Sequence, residues 1–179
     1  HFSPICGVCT VLVSVLIAEQ IRRASSKKEE PKISSDQIDE LIEYSIKIVD
    51  DAMKPEFNVE EKRPEILRFL KAEKFEDLEL CCSKIGNVLK ATGAAVLALR
   101  KGLEFEKAME EVIWWAGDAD TNAAVVGGII GASVGFSKIS PELMKYMYTG
   151  NWLYVEFARM CKAMGIEPPE SPFLTLSYQ

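Results

Sequence analysis

The sequence predicts an all-α fold, and three observations carry that reading. No segment alternates apolar and polar residues with the two-residue period of a half-buried strand. Several segments instead repeat apolar residues at three- and four-residue steps, with charge on the opposite face. Helix punctuation brackets them: Pro4 at a first turn, Ser34 with Gln37 as a capping box, and Gly102 as a stop. At 179 residues, 48% hydrophobic and 27% charged, the chain suits a soluble domain with a sizeable core.

Pro4 opens a helix expected to run to about Arg23. "ASSKKEEPK", residues 24–32, is polar, contains Pro31 and reads as a loop. The capping box at Ser34 then starts a helix whose Ile38, Leu41, Ile42, Ile46 and Val49 share a face. "EEKRPEILRFLKAE" and "KFEDLELCCSK" read as short helical surface connections, rich in Glu and Lys. The pair Asp50-Asp51 reads as surface charge on a solvated helix. Ile85 to Arg100 is a strongly apolar helix ending at Gly102. Phe105 to Trp115 is another, with Phe105, Ala108, Met109, Val112, Ile113 and Ala116 expected inside and Glu104, Glu106, Glu110 and Glu111 outside. Pro141 opens a short helix and Trp152 to Met164 forms the last. The organisation expected is one helical domain over 1–165 and a Pro-rich, extended tail over 166–179.

Composition excludes several functions. A net charge of −6, with no Lys/Arg run interleaved with aromatics, argues against nucleic acid and against an anionic membrane surface. The single histidine, His1, rules out a His-rich zinc site. The five cysteines, Cys6, Cys9, Cys81, Cys82 and Cys161, lack the spacing of a disulfide framework and suggest a reducing, cytoplasmic setting. Cys6, Cys9, Cys81 and Cys82 are expected in the core. Cys6-Gly-Val-Cys9 has redox-motif spacing, but no strand precedes it. The apolar run Ile5 to Ala18, interrupted by Gly7, Thr10 and Ser14, is short for a membrane span and reads as a buried helix. So apolar a first helix needs cover on most sides. We expect a fragment, a processed chain or one half of a split protein.

The chemistry concentrates in "WWAGDADTNAAVVGGIIGA", residues 114–132. In an extended turn Asp118 and Asp120 point the same way, so their carboxylates can converge on one point. Close carboxylates repel unless a cation intervenes, and hard oxygen donors select Mg²⁺, Mn²⁺ or Ca²⁺. Asp120 or Thr121 can also cap the following helix. That helix carries Ala124, Gly127, Gly128, Gly131 and Gly135 at three- and four-residue steps, opposite Val125, Val126, Ile129 and Ile130. It reads as a central helix buried all round, its bare face admitting another helix closely. An EF-hand fails, because Ala123 stands where glycine is needed and Ile129 where the bidentate Glu belongs. A D-x-D-x-T phosphatase motif fails at Asn122. The plain structural alternative is that Asp120 is only a helix cap and Asp118 only a loop acid.

"GDADTNAAVVGGIIGASVGF" resembles the signature of the ADP-ribosylglycohydrolase family, a Gly-Gly-Asp-x-Asp-Thr turn opening a Gly/Ala-rich helix. "IGNVLKATGAAVLALRKGLEFEKAMEEVI" resembles the paired helices before that turn, and "HFSP" the family's Ser/Thr-His-x-x-Pro entry to a core helix. The resemblance covers most of 1–155. It implies an orthogonal multi-helix bundle around a binuclear Mg²⁺ or Mn²⁺ site, and a hydrolase acting on ADP-ribosylated protein or an ADP-ribose-containing small molecule. By matching position, Asp118, Asp120 and Thr121 would be metal ligands. His1, Gly117 and Asn87 would lie against the ADP-ribose. No catalytic residue is assigned. Three departures stand out: Ala116 replaces the first glycine of the turn, Asn87 replaces a tyrosine found in many members, and the family's Thr-Asp-Asp motif has no counterpart here. The other half of the metal site would therefore come from an N-terminal segment in a second chain or a nicked parent. The alternative is an inactive member with a structural, crystallin-like or ADP-ribose-binding role.

Overall fold

The computed structural model describes residues 3–26, 32–171 and 173. Among them there are eight α-helices and no strand. The chain divides into two compact units, His1–Ser137 and Lys138–Gln179.

The first unit holds six helices. Helix α1, Pro4–Ala24, starts with proline in its first turn and ends with Arg22 and Arg23, cations suited to a helix C-terminus. Its 21 residues, with an 18-residue window of mean hydropathy 1.9, are long and apolar enough to cross a membrane by length and composition alone, and its bounds agree with the helix expected from Pro4 to about Arg23. Its Val8, Cys9, Leu12 and Leu16 are buried, and it packs against α2 (Ser35–Met53), α4 (Val88–Arg100) and α6 (Ala119–Val134). The predicted capping box opens α2: the Gln37 N–H donates to Ser34 Oγ at 3.2 Å, and the Ser34 N–H donates to Gln37 Oε1 at 3.0 Å. Ile38, Ile42, Ile46 and Val49 form its inner face, as their spacing predicted.

Residues 54–83 are more than surface connections. A 3₁₀ turn at Val59–Lys62, helix α3 at Arg63–Leu70 and a second 3₁₀ turn at Phe75–Leu78 bury Val59, Ile66, Phe69, Leu70, Phe75, Leu78 and Leu80. Their few apolar residues all face inward, which the surrounding Glu and Lys obscured. Asp50 also departs from expectation. It is buried, accepts from the Val59 N–H at 3.2 Å and pairs with Lys54. The Lys54 hydrogen bond is the first cause holding its carboxyl below the usual range. Asp51 is exposed, as expected.

Helix α4 is the centre of the unit. Every residue from Leu89 to Leu99 is buried, and α1, α3 and α6 all pack on it. It starts at Val88 rather than Ile85, because the Asn87 side chain caps it by accepting from the Leu89 N–H at 3.0 Å. Gly102 follows with φ +60°, a left-handed stop that glycine adopts freely. Helix α5, Phe105–Trp114, buries Ala108 and Val112 and half-buries Phe105 and Met109. Ile113 and Ala116, expected inside, are exposed. Glu106 and Glu111 are only partly exposed.

Helix α6 packs against α1, α4 and α5 but is not buried all round. Asn122, Val126, Ile129 and Ile130 face inward. Asp120, Thr121, Ala124 and Gly128 form an exposed stripe. Two of the glycines do admit a neighbour: a Cβ at Gly127 or Gly131 would lie 3.6 Å from Met109 or Phe105 of α5. The second unit contains α7, Pro141–Met144, and α8, Gly150–Ala163. Within it, Phe173 packs on Gly150, and the Tyr154 hydroxyl donates to the Pro169 carbonyl.

Candidate functional site

The acidic turn is built by a reversal between α5 and α6. Ala116 and Gly117 both take left-handed conformations, φ +54° and +72°. The first is costly for a residue with a Cβ, about 1–2 kcal/mol, and Ala116 stands where the resemblance noted above implied glycine. At Gly117 the requirement is stricter. A Cβ there would fall 2.0 Å from the Leu80 carbonyl oxygen. The turn is therefore seated on the backbone of the loop before α4, and only glycine fits.

Asp118 is the N-cap residue of α6, although its side chain caps no backbone N–H. The two acids thus exchange the places the plain structural alternative gave them: Asp118 is at the cap position, and Asp120 lies in the first turn of the helix. Asp120 Oδ1 accepts from the Thr121 N–H at 2.8 Å. That bond, and next a hydrogen bond with the Asp118 side chain, hold the Asp120 carboxyl below its ordinary range. The carboxyl groups of Asp118 and Asp120 do converge, though through a cap and a helical turn rather than an extended turn. Asp120 and Thr121 are exposed and Asp118 is half-buried, a position that a positive helix terminus favours for anions.

Of the other residues singled out, Gly117 supports the turn as described. The Asn87 side chain is engaged as the cap of α4, and its neighbour Gly86 lies beside the acids, its Cβ position 3.7 Å from Asp118 Oδ2. The loop before α4 and the turn before α6 therefore meet at Asp118. His1 lies outside the described residues. Among the described residues no group of three or more His, Cys, Asp or Glu side chains could hold a metal ion.

Sequence reasoning missed two supports of this site and the burial of a third residue. Leu80, with a buried side chain, offers its carbonyl to Gly117. Lys90 is buried in α4, and its ammonium donates to the Glu79 and Ser83 carbonyls, fixing the loop that carries Leu80. Asn122, one helical turn beyond Asp118, is buried, its amide nitrogen having no hydrogen-bond partner. A lysine inside an apolar helix pattern was the one signal available for the second. The first is a backbone contact and leaves no trace in residue type.

Just before the turn, Ile113 is exposed and Trp114 is 84% exposed, while Trp115 packs on the core. Compared with known proteins, the chain matches the ADP-ribosylglycohydrolase family over residues 1–168. No curated protein and no solved structure matches it.

Proposed function

Starting from the premise that this chain belongs to the ADP-ribosylglycohydrolase family, we propose that it is a Mg²⁺- or Mn²⁺-dependent hydrolase releasing ADP-ribose from ADP-ribosylated protein or a related small molecule. The observation that carries this reading is the convergence of Asp118 and Asp120 at the exposed start of α6, on a turn held by Leu80. Two neighbouring carboxylates offer hard oxygens whose mutual repulsion a divalent cation would relieve. Asp118, Asp120 and Thr121 are the residues that would hold the metal. When bound, it would fix ribose hydroxyls and lower the pKa of the attacking water.

The chain's own residues do the rest. Gly117 keeps the turn seated on the Leu80 backbone and so fixes where the acids stand. Ala124 and Gly128 continue the exposed stripe from the acids and leave room for a bulky ligand. Trp114 and Ile113 give exposed apolar surface that suits the adenosine end of the substrate or a neighbouring segment. Three oxygen donors fall short of an octahedral shell. We infer that water, substrate and an acidic segment beyond this donor set complete it.

The test is ADP-ribose release with Mg²⁺ present, the further segment being supplied in trans or in the parent protein. Asp120→Ala is expected to abolish release while leaving the fold intact; unchanged release would overturn the metal assignment. The second reading, an inactive member, draws on the absence of a third metal-ligating side chain among the described residues. A complete protein that binds ADP-ribose and releases none from any acceptor would select it.

A further inference from the structure

The loop that braces the acidic turn carries two adjacent thiols, and these were expected in the core. Cys81 and Cys82 are both exposed, their sulfurs 3.8 Å apart. The exposure follows from Leu80: its side chain is buried and its carbonyl is turned onto Gly117, so the chain leaves the core at the next residue. Lys90 grips the loop on either side of the pair, through the Glu79 and Ser83 carbonyls. Glu79 and Lys84, both in left-handed conformations, mark its two ends. The thiols are therefore presented on a fixed segment.

A sulfur spacing of this size suits shared coordination. Bonds of about 2.3 Å to one soft centre let two sulfurs stand up to about 4.6 Å apart, so a single atom can bridge this pair. It suits a disulfide poorly. Neighbouring Cα atoms are about 3.8 Å apart across a trans peptide, whereas disulfides ordinarily span about 4.4–6.8 Å. A dication such as Zn²⁺ would need further protein ligands, and no group of three is present among the described residues. A trivalent arsenical needs two sulfurs and no more.

We propose that Cys81 and Cys82 form a dithiol site for a thiophilic trivalent metalloid, an organic arsenic(III) oxide or its hydrate, at the edge of the acidic turn. Two As–S bonds form, while both S–H bonds and the bonds of arsenic to its oxygen break. From the oxide the two protons leave with its oxygen as one water, from the hydrate with its two hydroxyls as two waters, and arsenic stays trivalent throughout. The hydrogen bond with Cys81, and next its charge, push the Cys82 thiol up, against a smaller opposing pull from Lys90. Simple thiolate chemistry is thereby slowed, and a reagent that engages both sulfurs together is favoured.

The probe is phenylarsine oxide at one equivalent on the full chain, read by intact mass. One adduct is expected, stable to excess glutathione and removed by a small dithiol. Cys81→Ser and Cys82→Ser should each lose it, and Cys6→Ser should keep it. Absence of an adduct on the unmodified chain, or its survival in either single variant, would overturn the proposal. So would its loss in Cys6→Ser, which would assign the adduct to Cys6 and Cys9 on α1.

Discussion

Helices α4 and α6 are both strongly apolar in sequence, and the structure uses them in opposite ways. Every residue of α4 from Leu89 to Leu99 is enclosed, whereas α6 turns Asp120, Thr121, Ala124 and Gly128 to the outside. Both contain glycine, for different reasons. A Cβ at Gly93 of α4 would sit 2.7 Å from the Phe69 carbonyl oxygen and 2.8 Å from Leu78. At Gly128 of α6 the nearest atom, Ile17 Cδ1, would be at 3.9 Å, an ordinary contact. Small residues in α4 make room for neighbours that are present. Those on the open stripe of α6 leave room above the helix, beside the acids. A helix without bulk can thus be a closed centre or the floor of an accessible site, and the difference lies in what packs on it.

The contrast can be probed by substitution, beginning where the effect is largest. Gly117→Ala forces a Cβ into the Leu80 carbonyl and a strained left-handed alanine, so it should cost roughly 2–5 kcal/mol in urea unfolding. A cost below 1 kcal/mol would mean that the turn is not seated on that loop. The next effect concerns the α1–α4 interface. Burial pushes the Cys9 thiol from 9.0 up to about 11, and the hydrogen bond with Thr92 of α4 opposes this in part. The folded pKa is raised, so this stability is fully present below pH 9 and is lost as pH rises through about 11. The loss should be on the order of 2 kcal/mol. Unfolding midpoints of the native chain and Cys9→Ala, compared from pH 8 to 11, measure it; parallel curves would place Cys9 in contact with water.

Gly93→Ala should destabilise by roughly 1–3 kcal/mol, because backbone on one side and Leu78 on the other must give way. Gly128→Ala should do the reverse and stabilise by roughly 0.5–1 kcal/mol, since α6 gains helix propensity at no steric cost. Equal effects of the two substitutions, read from the same thermal or urea curves, would erase the distinction between the helices.

Most of the helical architecture was legible because its signals are local. The Ser34–Gln37 box, Pro4, Gly102 and the face of Ile38, Ile42, Ile46 and Val49 each depend on neighbours within a turn or two of chain. The acidic turn stood out for the same reason, as a local pattern of Gly117, Asp118 and Asp120. The sequence was least informative where long-range packing decides. Apolar content alone could not say that α4 rather than α6 is enclosed. It could not place Ile113 outside, send Cys81 and Cys82 to the surface or bring Asp50 inside to meet Val59. The seat of Gly117 on Leu80 is a contact between residues 37 positions apart, made through backbone that every residue possesses.

The enclosure of α4 also bears on the order in which the chain acquires its shape. A helix covered along its whole inner length by α1, α3 and α6 cannot be inserted once those partners have closed around it. Its amide hydrogens should therefore exchange with solvent only when the whole unit opens, while those of residues 116–121 exchange through local motion. The turn that carries the acids would then exchange ahead of the scaffold on which it is seated.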